Sequence, residues 1–327
     1  MILVTGGTGF IGSNLVAALA ETGATAVAVC DTLDDPAKQD NLSKHAVSEV
    51  IPPSTLMDWL EAHGDAVETV FHMGASSATT ETDMEFLLDN NVGLSMALWR
   101  WCTVHERSLI YASSAATYGD GSVGFDDDND PAALARLRPL NRYGLSKQMF
   151  DLNAIQLAQA GHHPPQWAGL KFFNVYGPNE QHKGGQRSVA VQLYEQIMAD
   201  GRVRLFRSHH PDYEDGGQLR DFVWVGDCVD IMLWLHQTAG VSGIFNCGTG
   251  AARSFKDLAE ACFSALEREP QIDYIDTPEA IRANYQYYTQ AEMHRLRQRG
   301  YDRPFTSLED GVTRYIRDYL ATNDPRR

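Results

Sequence analysis

Short, β-branched apolar runs alternate with longer amphipathic stretches through the first half of the chain. The runs over 2–5, 26–30, 69–72, 108–112 and 168–173 predict strands, and the stretches near 12–21, 55–63, 83–104 and 143–159 predict helices. Strand and helix taken in turn predict an α/β fold, a doubly wound parallel sheet with helices on both faces. Past Asn174 the alternation lapses, and a polar, glycine-containing loop over 177–186 leads into a helix over 188–200. Residues 221–225 then 227–236, and 244–247 then 254–266, each read as strand then helix. The expected organisation is a sheet domain over 1–174, to which segments around 220–250 return, and a smaller mixed α/β lobe over 175–327.

A length of 327 residues suits such a two-lobed core. The net charge of -16, from 27 basic and 43 acidic side chains, repels a phosphate backbone or an anionic membrane surface, so neither nucleic acid nor membrane is an expected partner. A small anion held by a few focused cations remains compatible with that charge. The five cysteines (Cys30, Cys102, Cys228, Cys247, Cys262) form no C-x-x-C pair, and no long apolar or signal-like segment is present, so a reduced, soluble, cytoplasmic protein is expected. The pairs His162-His163 and His209-His210 lack zinc spacing, so no metal is expected. The acidic run 126–130 reads as a solvated loop.

Chemistry enters at the first strand-to-helix turn, where Gly6, Gly9 and Gly12 satisfy G-x-x-G-x-x-G. Glycine is needed there for unusual dihedrals, for backbone approach to a pyrophosphate and for close helix–strand packing, which makes the sheet domain a Rossmann-type dinucleotide-binding unit. Asp31, ending the second strand, suits the adenosine ribose hydroxyls and so favours NAD, while Lys38 a short loop away could pair with the 2′-phosphate of NADP.

Tyr143 and Lys147 stand at i and i+4, on one helix face. A cation beside the phenol is expected to lower its pKa toward neutrality and make Tyr143 a general base, with Lys147 also free to hold the nicotinamide ribose. Ser114 follows the strand over 108–112, at the carboxyl end where open α/β sheets bind ligands, and can hydrogen-bond the reacting oxygen.

These motifs, with Asp89-Asn90-Asn91-Val92-Gly93 and Phe173-Asn174-Val175-Tyr176-Gly177-Pro178, resemble the extended short-chain dehydrogenases/reductases. Within them the chain is similar to the ADP-L-glycero-D-manno-heptose 6-epimerase group, through 113–119, Glu180-Gln181-His182-Lys183-Gly184 and Asn284-Tyr285-Gln286. The resemblance implies oxidation of the heptose C6 carbinol by bound NADP, return of the hydride to the opposite face, an ADP-linked heptose substrate, a place in lipopolysaccharide core biosynthesis and a homo-oligomer, a pentamer in that group. It assigns catalysis to Tyr143 and Lys183 on opposite faces, with Ser114 and Lys147 assisting. It places Phe10, Ile11, Asp31, Thr32, Lys38, Met73, Gly74, Ala75, Ser76, Ser77, Asn90, Lys147 and Val175 on the cofactor. Asn174, Lys183, Gly185, Gln192, Phe206, Arg207, Ser208, His209, Arg220 and Tyr285 fall on the nucleotide sugar. The chain departs from that pattern with Gln192 for a histidine, Asn179 for an arginine, Pro52-Pro53 for a lysine, and a longer segment over 208–218. A 4-epimerase needs only Ser114, Tyr143 and Lys147. A dehydratase needs an acid where Ala115 and Ala116 stand, and a non-catalytic redox-sensing binder needs no Tyr-Lys pair.

Overall fold

A computed structural model describes residues 1–24, 26–282 and 285–327. Six strands of the first half, β1 (Ile2–Thr5), β2 (Val27–Cys30), β3 (Glu49–Ile51), β4 (Thr69–His72), β5 (Ser108–Ser114) and β6 (Trp167–Phe172), lie in one sheet. They are followed by β7 (Asn174–Tyr176), β8 (Val203–Phe206), β9 (Leu219–Arg220), β10 (Phe222–Trp224), β11 (Gly243–Cys247), β12 (Arg253–Ser254) and β13 (Ile272–Ile275). The seven-stranded sheet runs β11-β6-β5-β4-β1-β2-β3, every pairing parallel. In β1, β2, β4, β6 and β11 every residue is buried, because helices cover both faces, and this is why these strands are mostly apolar, with His72, Lys171 and Asn246 as buried polar exceptions. The expected strands and helices of the first half appear within a few residues of their places.

Six strands were not anticipated: β7, β9 and β12, only two or three residues long, and β3, β8 and β13. β3 is an edge strand with Glu49 exposed and only Val50-Ile51 to mark it before Pro52. β8 and β13 pair with each other away from the main sheet and are only half buried, so Arg204 and Asp273 dilute their apolar signal. The stretch read as one helix over 83–104 is instead three segments, with a π-helical turn Leu88–Gly93 between Met84–Leu87 and Leu94–Val104.

Strand order reverses direction between β1 and β4, since the chain leaves β3 at one edge and re-enters beside β1; the crevice above that point is where doubly wound sheets bind ligands. A second apolar cluster gathers helices Val189–Asp200, Phe255–Ala265 and Leu308–Arg314, and it includes Phe10 from the glycine turn. β11 then carries the chain back to the edge of the main sheet.

The acidic run departs from its reading as a solvated loop. Asp127 is 0% exposed and accepts the Asn246 N–H (2.7 Å), while Asn129 bonds both Asp127 O and Ile244 O, which ties the run to β11. Burial pushes the Asp127 carboxyl up to about 6. All five cysteines are buried and free, and among the described residues no helix is long and apolar enough to cross a membrane.

Candidate active site

The glycine turn and the loop after β4 meet at the reversal point. Gly6 has φ +68°, and a Cβ on it would stand 2.5 Å from Gly74 N, so the two backbones touch where a side chain on Gly6 would sit. A Cβ on Gly12 would come within 2.1 Å of Gly6 O, and Gly9, N-cap of the helix Phe10–Glu21, has no side chain to occupy the first-turn N–H groups. A bare helix start beside a glycine cradle fits a dinucleotide pyrophosphate.

Thr5 fastens the two sides. Its hydroxyl accepts the Gly74 N–H (3.1 Å) and donates to His72 Nδ1 (2.6 Å). Ser95 donates to Asn91 O (2.6 Å), so at His72 Nε2 (2.9 Å) it accepts, and the network assigns His72 the Nε2–H tautomer. Burial, then the charge of Lys147, lowers the His72 pKa to about 3, so the ring is neutral.

Asp31 is less open than its expected role requires. It is buried, accepts Thr8 N (3.0 Å) and Thr8 Oγ (2.6 Å) on one oxygen, and accepts Thr32 N (2.8 Å) and Lys38 Nζ on the other. The carboxylate therefore braces the glycine turn, and Lys38 presents the cation at the rim. Asn41 binds Thr8 O and Asn179 O and approaches His182 Nδ1 (3.3 Å), whose pKa burial lowers to about 4.

Ser114, Tyr143 and Lys147, the expected proton-handling groups, converge at the carboxyl end of β5. Ser114, its last residue, caps the following turn by accepting Ala116 N–H (3.1 Å), and its hydroxyl lies near enough to the Tyr143 phenol to act on its pKa. Asn141 caps the helix Arg142–Gln159 through Gly144 N–H (2.7 Å), which sets Tyr143 in the first turn and Lys147 in the next. Lys147 Nζ donates to Ala112 O (2.9 Å), and burial lowers its pKa to about 8. The expectation that Lys147 dominates the phenol is corrected here. Burial pushes the Tyr143 pKa up, the nearby Ser114 hydroxyl pulls it part of the way back, and the charge of Asp151 pushes it up again. Tyr143 therefore holds its proton in the cofactor-free chain.

Two residues below this site escaped the sequence reading. Asp151 accepts Ser113 Oγ (2.7 Å) and Tyr111 OH (3.1 Å) and pairs with buried Lys171 (2.8 Å), stiffening the strand that carries Ser114. The i, i+4, i+8 spacing of Tyr143, Lys147 and Asp151 was the available signal. Asn91 accepts Ser76 N–H (2.9 Å) and donates to Ser76 O (3.0 Å) and Ser146 Oγ (3.0 Å), joining the loop after β4 to the helix that carries Tyr143 and Lys147. Asn90, the residue implied by resemblance, is exposed and bonds Phe86 O; the π-helical turn turns Asn91 inward, and no sequence pattern marks that shift.

Of the other cofactor positions, Met73, Ala75 and Ser76 are half-buried and Ser77 exposed in the loop after β4; Ile11 and Val175 are half-buried. Lys183 lies in the turn Gln181–Gln186, its Nζ 5.4 Å from the centre of the Phe10 ring. Burial lowers its pKa against the pull of Glu180, which itself binds Ser188 and Tyr315. Among the described residues Lys183 shares no hydrogen bond with Tyr143, Ser114 or Lys147. Gly185 is exposed, and Gln192 turns back to Arg187 O (2.8 Å).

Arg220 is 8% exposed, donates to Leu219 O (2.8 Å) and lies 5.4 Å from the Phe255 ring centre and 5.6 Å from that of Tyr285. It forms no pair with Asp221, whose carboxylate accepts from Thr249, Gly250 and Ala291. Phe206 packs edge-on to Tyr285 (6.2 Å). Arg207 is an exposed ion-pair partner of Asp276, Ser208 N–H binds Asp215, and His209 N–H binds Tyr287 OH. Asn174 N–H binds Asp221 O (3.0 Å), which places its exposed side chain at the head of β7. Asn284 lies outside the described residues.

Residues 2–248 match the NAD dependent epimerase/dehydratase family. The chain belongs to that family. It is 52% identical to an ADP-L-glycero-D-manno-heptose-6-epimerase of Nitratidesulfovibrio vulgaris (strain DP4), over 99% of both chains. It is 45% identical to one from Fusobacterium nucleatum subsp. nucleatum, again over 99% of each. Its fold also matches the crystal structure of the Helicobacter pylori ADP-L-glycero-D-manno-heptose-6-epimerase, with a TM-score of 0.77 and 29% identity over 96% of this chain and 94% of that one. A nicotinamide cofactor accordingly belongs to this family's chemistry, and the cradle formed by Gly6 and Gly74 fits one.

Proposed function

We propose that this chain inverts C6 of the heptose in ADP-D-glycero-D-manno-heptose, giving the L-glycero epimer through a transient C6 ketone, with NADP as the cofactor. The observation that carries the reading is the meeting of Ser114 at the end of β5 with Tyr143 and Lys147 on successive turns of the helix Arg142–Gln159, which is fastened to β5 by Lys147 Nζ at Ala112 O (2.9 Å), next to the strand β4 whose loop completes the glycine cradle. Nicotinamide chemistry supplies the acceptor for the C6 hydrogen and the donor that returns it. Proton work falls to the chain. Tyr143 is a phenol in the cofactor-free chain, so it would take the carbinol proton only as the phenolate, after releasing its own proton to solvent on cofactor binding; Ser114 would hold the same oxygen, and Lys147, anchored at Ala112 O, would keep a cation behind the phenol. Lys183, lowered by burial, is suited to exchange a proton at the opposite face, and Arg220 to bind the diphosphate with its planar fork. Lys38 is the cation for a 2′-phosphate.

The test is incubation with ADP-D-glycero-D-manno-heptose in deuterated water. Inversion at C6 without deuterium on carbon supports internal hydride return; label at carbon, or no inversion, overturns the reading. Tyr143→Phe is expected to lose at least about 100-fold in turnover, and Lys183→Ala to lose inversion while retaining cofactor.

A further inference from the structure

The segment over 208–218 is built rather than loose. Gly216 N–H binds Phe206 O (3.0 Å) and Gly216 O accepts Lys256 N–H (3.0 Å), while Ser208 N–H binds Asp215 (2.8 Å) and His209 N–H binds Tyr287 OH (3.1 Å). Gly216 takes φ +71°, with Tyr274 3.0 Å and Leu205 3.1 Å from where its Cβ would be, so the segment is seated against β8 and β13. This framework carries Tyr213 to within 5.3 Å of the Tyr287 ring, itself 5.3 Å from Tyr285, whose face lies under the Arg220 guanidinium. His210 joins from the outer side, 5.2 Å from Tyr287.

This ladder belongs to neither apolar cluster of the fold, and Tyr213, Tyr285 and Tyr287 all keep partly open surfaces. A row of half-open rings is poor core, but it is a stacking surface. Its inner end is a nearly buried guanidinium with no carboxylate partner among the described residues, which suits a diphosphate. In a nucleoside diphosphate the base lies one ribose from the phosphates, and here the rings lie in successive steps of about 5 Å from the cation.

Resting on the reading of this site as one for a nucleotide sugar, we infer that the segment over 208–218 is the outer wall of the nucleobase subsite, with Tyr213 packing its ring on a purine whose diphosphate lies on Arg220. The other rungs hold Tyr213 in place, and the hydrogen-bonded seat of the segment on β8 and β13 presents that ring.

Titration calorimetry of the full chain with ADP, UDP and inorganic pyrophosphate tests it. Tyr213→Ala is expected to raise the Kd for ADP about tenfold, to narrow the preference for ADP over UDP and to leave pyrophosphate binding unchanged. Tyr213→Phe keeps the ring and binds ADP as the parent does, whereas Arg220→Ala weakens ADP and pyrophosphate together. An unchanged ADP affinity in Tyr213→Ala, or equal losses for ADP and pyrophosphate, overturns the proposal. Should Tyr213→Ala fail to fold, magnetisation transfer from adenine protons to the Tyr213 ring in the parent protein decides: transfer supports stacking and its absence refutes it. ADP binding is read without turnover, so a chain that stacks ADP on Tyr213 but leaves C6 uninverted sinks the proposed reaction and keeps this inference. A chain that inverts C6 while Tyr213→Ala binds ADP normally does the reverse.

Discussion

Asn91 donates to the Ser146 hydroxyl at 3.0 Å while its carbonyl oxygen takes the Ser76 N–H, so one buried side chain sets the distance between the loop after β4 and the helix that carries Tyr143. Asn91→Ala leaves Ser76 N–H and O without these partners. A loss of about 1–3 kcal/mol in unfolding free energy is expected, together with a higher Kd for NADP, read by chemical denaturation and nicotinamide fluorescence. Asn90→Ala, removing an exposed amide that bonds only Phe86 O, is expected to leave stability within about 0.5 kcal/mol.

Lys147 is a buried cation held at the expense of stability. Its pKa falls from 10.5 to about 8 on folding, so below pH 8 both states are protonated and the folded chain carries the full burial penalty of roughly 3 kcal/mol. Between pH 8 and 10.5 the unfolded chain binds more protons, so stability rises with pH there. Lys147→Met removes the charge and forgoes the bond to Ala112 O, worth about 1 kcal/mol. It is expected to be about 2 kcal/mol more stable at pH 7, to lose that advantage by pH 10.5, and to lose turnover at both. Denaturation curves across this range check the sign.

Gly6→Ala tests the cradle. The positive φ strains any side chain, and the new Cβ would meet Gly74 backbone 2.5 Å away, where nothing flexible can yield. Loss of NADP binding is expected, with a clear drop in thermal stability, whereas Gly161→Ala, at φ +79° with open space around it, is expected to cost only about 1 kcal/mol. Equal effects at the two sites would remove the close approach as the reason for glycine at Gly6.

How much of this was legible in the sequence follows from burial. Strands sealed on both faces, such as β1 and β2, announced themselves as apolar runs, and the half-exposed β3, β8 and β13 did not. Ser114, Tyr143 and Lys147 could be placed together because a strand end and one helix turn are local geometry. The engagement of Asp31 by Thr8 and Lys38, the Asp151–Lys171 pair and the aromatic ladder of Tyr213 depend on contacts between distant segments or on loop geometry, which periodicity does not encode.

Lys38 bears on cofactor choice. It is paired with Asp31 and only 7 residues away from it, so a 2′-phosphate arriving at the rim would share an ammonium already in position. Lys38→Ala is expected to weaken NADP about tenfold and NAD much less, since only NADP presents the extra anion. Fluorescence titrations with both cofactors check the ratio, and equal losses would place Lys38 in bracing Asp31 alone.

His72 predicts the acid limb of stability. Its pKa drops from 6.5 to about 3 in the fold, because burial and Lys147 oppose a charged ring and Thr5 and Ser95 already use both nitrogens. Below pH 6.5 the unfolded chain takes up a proton that the folded chain refuses, so stability falls by up to about 1.4 kcal/mol per pH unit until the folded ring titrates near pH 3. Asp127, raised to about 6, works in the opposite direction over part of this range, so the whole-protein curve does not isolate His72. The comparison with His72→Gln does. Its amide offers one acceptor to Thr5 and a donor to Ser95 but does not titrate. Similar stability at pH 7 and a shallower decline between pH 6.5 and 4 are expected; parallel curves for the two proteins would mean that the folded ring accepts its proton as readily as the unfolded one.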